Sequence, residues 1–519
     1  MQSRHFSPPD LADLEARGIA RETAERQLRL YQEPPAAARL LKACTPGDGI
    51  VRLFDEQAGG YAHRYDEQAR SLSIAKFVPA SGAASRMFRS LLAVGSDASL
   101  RTRADFEAKA AGGDSDARAV SRFLAHLVDF AFYDDLAAAL ARDGIDIDAA
   151  AASDVPAVLA ALLDDSGLDY ASLPKGLLKF HREHGEVRTA FEEHLVEAAA
   201  YARGSGNLCR LHLTVSPEHE QRFRALLGDV RERYEKRFGV HFDVEFSWQK
   251  PSTDTIAVEP GGAPFRTDEG RLLFRPAGHG ALIENMADVE AELLFVKNID
   301  NVAVDAFLAE TVLWKKALAG VLLELREEVF AHRRALETGG EAAAAAAFAM
   351  LRSRFGAAVP DASGGELLRL AADALDRPLR ACGMVSSDTN PGGGPFWVTD
   401  RSGRASVQVV ETSQVDRDDP AQRAILEGAR HFNPVDLVCI TRDWKGRPFD
   451  LSRYIDHEAV FIAEKSQDGR PLRSLERPGL WNGAMAGWNT VFVEVPLATF
   501  NPVKTVNDLL EPAHQGSRS

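Results

Sequence analysis

Apolar residues recur at helical spacing from the start of the chain, where DLADLEARGIARETAERQLRLY, residues 10–31, predicts a helical arm. The first strand pattern is SIAKFVP, Ser73–Pro79, which runs into the small-residue loop ASGAAS and a helix expected from near Arg86. Between about 100 and 170 the chain turns alanine-rich with apolar positions three and four apart, as in DARAVSRFLAHLVDFAFYDDLAAALARDG. From 188 onward helix and strand patterns alternate: RTAFEEHLVEAAAYA, LCRLHLTVS, PEHEQRFRALLGDVRERYEKRFG, then VHFDVEFSW. AELLFVKNID reads as a buried strand ending at Asp300, and residues 305–375 are helical again. The last third is richer in strands, and D-R-S-G between PFWVT and RASVQVVE predicts a hairpin turn.

This alternation predicts an α/β fold on a mixed, mainly parallel sheet. The expected organisation is an N-terminal helical arm over 1–65, a main α/β domain over 66–511 and a tail over 512–519. Helical insertions are expected at about 95–170 and 305–375.

Charge narrows the partners. The chain has 519 residues, 76 acids against 61 bases and a net charge of -15, which argues against broad attraction to nucleic acid or an anionic membrane. Cys44, Cys209, Cys382 and Cys439 lie far apart with no C-x-x-C pair, which disfavours a disulfide framework and a zinc ribbon. The opening residues contain no apolar signal region and no apolar stretch reaches membrane-spanning length, so a cytoplasmic protein is expected.

Several segments have two readings. In VPASGAASRMF, Gly82, Ala83 and Ser85 precede the basic Arg86 at a strand-to-helix turn whose free N–H groups suit phosphate oxygens, although such turns also serve packing. LPKGLLKFH places Lys175 after a proline, as a phosphate-directed ammonium or an ordinary surface lysine. In FRPAGHGALIENM, Gly278 and Gly280 let a ligand approach either side of His279, or simply form a turn. Gln249, in FSWQKPSTDT, offers an amide for a base edge or is a loop residue. Asp300, in FVKNIDNVAVD, stands where open α/β sheets place metals and ligands, or caps the following helix. TFNPVKTVNDLLEP presents Lys504 on a rigid extended segment before a helix expected at Asn507 or Asp508.

Taken in order, GAASRM, LPKG, PAGHG, KNIDNVAVD and TFNPVKTVNDLL resemble the motifs of the UDP-glucose pyrophosphorylase family over about residues 74–511. Over its whole length the chain is similar to an uncharacterised bacterial family of unknown function related to it. The resemblance implies a sheet of the nucleotide-sugar nucleotidyltransferase, GT-A-like type. It also implies an enzyme that joins a sugar 1-phosphate to a nucleoside triphosphate, with uridine as the base and Mg2+ as cofactor, releasing pyrophosphate. By the same resemblance Asp300 is assigned to the metal. Arg86 and the Gly82 loop go to the triphosphate, Lys175 to its α- and β-phosphates, and Lys504 to the sugar phosphate and α-phosphoryl oxygen. His279 and Gln249 would face nucleotide or sugar, with Asn301, Glu411 and Asn433 on the sugar-phosphate side.

The loop GAASRM holds fewer glycines than the family's. Two alternatives therefore stand beside the enzyme: a nucleotide-sugar-binding protein without turnover, and a GT-A-type glycosyltransferase. The latter is disfavoured because N-I-D lacks the first carboxylate of D-x-D.

Overall fold

The main strands are β1 (Gly49–Val51), β2 (Ile74–Pro79), β3 (Leu208–Thr214), β4 (His241–Ser247), β5 (Leu293–Lys297), β6 (Leu379–Ser386), β7 (Asp436–Ile440) and β8 (Asn489–Val495). They are seen in a computed structural model that describes residues 6–95, 97, 99–387, 393–399 and 403–516. The chain divides into two units. One comprises Met1–Phe77, Ser247–Val296 and Trp314–Leu497, and the other Val78–Phe246, Lys297–Leu313 and Ala498–Ser519.

In the first unit the strand order is β1, β8, β6, β7, β5, β2. The β1–β8, β8–β6 and β5–β2 pairs are parallel and β6–β7 is antiparallel, which gives the mixed, mainly parallel sheet expected. Every residue of β5 is buried, as are Leu379–Val385 of β6, because both faces are covered; this is why these strands read as apolar runs rather than alternations. Phe77, Val296, Met384, Leu437 and Phe492 meet in one core. The buried Arg380 of β6 donates to Thr490 Oγ1 (2.8 Å) and to the Trp481 carbonyl (2.7 Å).

The N-terminal segment folds as α1 (Pro8–Arg17) and α2 (Arg21–Gln32). Ser7 and Asp10 form a reciprocal capping box at the start of α1, and Gly18, at φ 72°, ends it in the left-handed conformation that glycine adopts without penalty. Leu14, Ile19, Leu28 and Tyr31 bury against Ile256, Val258 and Leu475 of the same unit. Between this arm and β2, Arg39–Ala43 pairs with Gly394–Thr399, which pairs in turn with Ala405–Val410. The expected turn residues of that hairpin, Asp400 to Ser402, lie outside the described residues. Helices Asp305–Ala335, Gly340–Phe355 and Gly364–Leu375 occupy 305–375.

In the second unit, helices Arg103–Ala111, Ser115–Ala125, Tyr133–Arg142, Ile147–Ser153 and Val155–Leu163 occupy most of 95–170. Here α3 (Ala190–Tyr201) is buried on nearly every side, although its sequence carries Glu192, Glu193, His194 and Glu197. Each of those carboxylates has a partner, as burial of charge requires. Glu192 closes a capping box with Thr189 and accepts from Arg233 (2.7 Å). Glu197 meets Lys297 (2.5 Å), and Glu193 meets His181 (2.8 Å). His181 in turn shares a hydrogen bond with His514 (2.9 Å).

Burial, and secondarily the neighbouring His181, hold the His514 pKa down at about 3. A histidine depressed in the folded state stays neutral there while the unfolded chain takes up a proton, so its contribution is complete above the ordinary value near 6.5 and is lost as pH falls below it. Between pH 6.5 and 4 the loss should reach roughly 3 kcal/mol, since each pKa unit is worth about 1.4 kcal/mol. Denaturant melts of wild type and His514→Gln across that interval check it: the variant should show a shallower acid slope, and identical slopes would contradict the assignment.

All four cysteines are buried and none of them is in a disulfide. Among the described residues no helix is long and apolar enough to cross a membrane.

Candidate functional site

In the second unit the loop after β2, the P-K segment, Asp300 and the F-N-P-V-K segment are stitched together by backbone hydrogen bonds. Ala84 donates to the Leu173 carbonyl (2.9 Å) and Ala83 bridges Pro174, which sets the loop beside the P-K turn. Val503 donates to the Asp300 carbonyl (3.0 Å), Asn301 bridges Pro502, and Val506 donates to the Met87 carbonyl (3.0 Å). Asn301 is buried, and its Oδ1 accepts from the Asn501 N–H (2.8 Å), so its side chain holds the F-N-P-V-K turn.

Lys175 is the tie at the centre. Its ammonium donates to Asp300 Oδ2 and to the Val503 carbonyl, both at 2.6 Å, with side-chain exposures of 15% for Lys175 and 19% for Asp300. That excludes the surface-lysine reading of Lys175, and the helix after Asp300 begins only at Asp305, so Asp300 is not its cap. Gly176, next in sequence, must lack a side chain because a Cβ would lie 2.8 Å from the Phe223 ring.

Gly82, Ala83, Ser85 and Arg86 are exposed while Ala84 is buried, so the loop is anchored at one residue and open at the rest. A Cβ on Gly82 would meet nothing within 4 Å, so packing does not call for glycine there. Instead of a helix from Arg86, the chain makes a single 3-10 turn over Ala84–Arg86 and begins its helix at Arg89. Lys504 is exposed, with its ammonium 5.8 Å from the Phe500 ring centroid. Its backbone is fixed, since the Lys504 and Thr505 N–H groups both donate to Asp508 Oδ2 (2.8 and 2.7 Å). Asp508 thereby caps the 3-10 turn Val506–Leu510, and the Lys504 side chain stays exposed.

No group of three or more His, Cys, Asp and Glu side chains arranged for a metal occurs among the described residues. Magnesium asks for less, one or two protein carboxylates with phosphate oxygens and waters completing the shell. Asp300 offers one such carboxylate, so the donor set fits a magnesium ion that arrives with phosphates.

In the first unit, His279 stacks on Trp481 at 4.0 Å with an 11° interplanar angle. Leu480 N–H donates to His279 Nδ1 (3.0 Å), which leaves the proton of the neutral ring on Nε2, facing Glu411 Oε1 at 3.9 Å. Burial holds the His279 pKa down to about 4, although 34% of the side chain remains exposed. Burial, with Glu476 second, pushes the Glu411 carboxyl up. Asn482 donates to Glu411 Oε1 and Gln414 Oε1, each at 3.2 Å. The arrangement pairs a donor imidazole with a hydrogen-bonded carboxylate, a set suited to hydroxyl groups.

Gly278 and Gly280 have a packing reason. A Cβ on Gly280 would sit 2.0 Å from the Pro478 carbonyl, and Gly278, at φ +74°, would place one 3.0 Å from Glu476. The two glycines let the Glu476–Leu480 loop close on His279, a partner about two hundred residues away that local reading could not supply.

Gln249 reaches Asp254 Oδ1 at 3.4 Å. Asn433 is buried and spends its amide on backbone, donating to the Gly383 carbonyl (3.0 Å) and accepting from Val435 N–H (3.1 Å), where Val435 is held at φ 58°. Residue-level reading missed Trp481, Asn482 and Gln414. They lie in the segments LERPGLWN and ETSQ, where nothing but proximity in sequence to Glu411 marks Gln414.

No curated protein matches the sequence. Among solved structures, the chain is similar to the uridine diphosphate N-acetylglucosamine pyrophosphorylase of Trypanosoma brucei, at 11% identity and TM-score 0.47, covering 98% of this chain and 80% of that one. It is also similar to the UDP-glucose phosphorylase of the same organism, at 13% identity and TM-score 0.43 over 97% and 77% of the two chains. A UDP-glucose pyrophosphorylase mutant of Leishmania major in complex with UDP-glucose follows, at 12% identity and TM-score 0.42 over 97% and 79%. None of these is close enough to transfer an activity. The family described as Domain of unknown function (DUF4301) matches residues 7–515, nearly the whole length, and the chain belongs to it.

Proposed function

We propose that the chain is a sugar-1-phosphate nucleotidyltransferase, forming a nucleoside diphosphate sugar, with uridine as the base, and pyrophosphate. The observation that carries this reading is the junction at Lys175, which ties Asp300 and the F-N-P-V-K segment to the loop after β2. A phosphoryl-transfer site needs cations and a carboxylate at a strand's end more than it needs a covalent nucleophile.

In the reaction proposed, an oxygen of the sugar 1-phosphate forms a bond to the α-phosphorus as the bond from that phosphorus to the leaving pyrophosphate breaks. The exposed N–H groups of the Gly82 loop and Arg86 hold the triphosphate, and Lys175 faces the α- and β-phosphates. Lys504 swings onto the α-phosphoryl oxygens and the sugar phosphate, offsetting charge where it develops. When bound, magnesium supplies charge neutralisation on phosphate oxygens, and Asp300 is the residue that would hold it. In the first unit taken by itself, His279 Nε2–H and Glu411 offer a donor and an acceptor to hydroxyl groups.

A second reading is favoured by one observation: the Lys175 ammonium already has two oxygen partners. It would then act as a clamp in a protein that binds nucleotide sugar without turnover. Pyrophosphate release from a panel of triphosphates and sugar 1-phosphates separates the two. We expect release with UTP, and Asp300→Asn should keep the fold while sharply reducing magnesium-dependent turnover. Absence of release from every pair would sink the enzyme reading, and unchanged turnover of Asp300→Asn at limiting magnesium would remove Asp300 from the metal.

A further inference from the structure

The helical arm supplies none of the residues of the site above, and α2 has a second face beside the one it buries in the core. Its inner side is fixed by the Gln27 amide, which donates to the Asp254 carbonyl (3.2 Å) and accepts from Ile256 N–H (3.0 Å), and by the Tyr31 hydroxyl on the Ile256 carbonyl (2.9 Å). Thr23, Arg26 and Leu30, which share one face at helical spacing, instead wall a cavity of about 380 Å³ inside the first unit. Its volume falls within the range of small-molecule sites, about 300–1,000 Å³. The short helix Ile283–Ala287 that follows Gly280 also lines it, and Phe449, Leu451 and Leu475 add apolar surface.

The charges around the cavity are unevenly satisfied. Glu284 is engaged by Arg477 (2.8 Å) and Asp288 by Lys250 (2.6 Å), while Asp450 accepts from the Ser452 N–H and hydroxyl (3.1 and 2.6 Å). Arg26 has no hydrogen-bond or ion-pair partner among the described residues. His457 lies in the field of both Arg26 and Arg477, which adds to burial in lowering its pKa while Asp456 opposes it.

We infer that this cavity binds a small amphipathic anion, its apolar body on the Leu30, Ile283 and Phe449 walls and its single anionic head on Arg26. The arm would then serve to close a ligand site. The cavity shares no lining residue with the Lys175 junction, and the inference does not depend on the proposed reaction.

The test is a fluorescence titration of the full chain with 1-anilinonaphthalene-8-sulfonate, an apolar monoanion, beside the uncharged N-phenyl-1-naphthylamine. Wild type should show one saturable site for the anion. Arg26→Glu, an exposed position, should weaken the anion about tenfold or more, equivalent to about 1.4 kcal/mol, and leave the neutral probe unchanged. Ala287→Trp should fill the cavity and abolish both, with Thr23→Trp on α2 as a second filling variant should the first fail to fold by circular dichroism. Lack of a saturable site overturns the proposal, as does binding indifferent to the filling variants. Equal anion affinity in Arg26→Glu overturns the anion class.

Discussion

Lys504→Ala is expected to lower kcat about a hundredfold, or roughly 3 kcal/mol in the barrier, with little change in KM or in stability. Three features of the residue combine to give that split. Its side chain is exposed, so truncation buries nothing and opens no cavity. Its backbone is pinned by Asp508, so the turn should survive the substitution. Its ammonium, 5.8 Å from the Phe500 ring centroid, has only a weak resting contact to lose. A cation with so little to do in the resting protein affects turnover only if it meets charge that builds in the transition state. Steady-state kinetics in the pyrophosphate-releasing direction, with thermal unfolding on the same preparations, reads both quantities. Wild-type kcat in a folded Lys504→Ala protein would falsify the catalytic assignment.

The parts of this molecule that were legible in sequence are those determined by near neighbours. β2 and β5 announce themselves because consecutive positions are buried on both faces, and the hairpin strands because they alternate around a turn signal. Helix α3 shows the limit. Glu192, Glu193 and Glu197 look like the solvated stripe of a surface helix, yet they are buried because Arg233, His181 and Lys297 arrive from elsewhere to meet them. In the site, strand ends and punctuation pointed to Asp300 and Lys175, but not to the bond between them across 125 residues. The glycines around His279 illustrate the same boundary, since either a ligand or a packing loop can require a missing Cβ. Only the Pro478 carbonyl, brought in by the fold, shows that packing is enough. The arm was readable as helices, while the cavity beside α2 needs walls from five separate stretches of chain.

The largest effect on stability is expected at Arg188. Its side chain is 1% exposed, with the guanidinium 2.8 Å from Asp305 Oδ1 and 3.6 Å from both Glu183 and Glu193, whose side chains are 4% and 2% exposed. Asp305 is itself a third exposed and can regain water if the arginine is lost, whereas Glu183 and Glu193 cannot. Arg188→Met keeps the volume and removes the charge, stranding two buried carboxylates, and breaking a buried network from one side costs about 3–5 kcal/mol. The Asp305 N–H donates to Glu183 (3.0 Å), so the start of the helix that follows Asp300 should loosen too, and turnover should fall along with the melting temperature. Adding Glu193→Gln to Arg188→Met should recover part of the loss, because the second change removes one of the stranded charges. That rescue separates electrostatics from lost packing. Guanidinium melts of wild type, the single variant and the double variant measure it, and a loss under about 1 kcal/mol for Arg188→Met would mean that water already reaches the network.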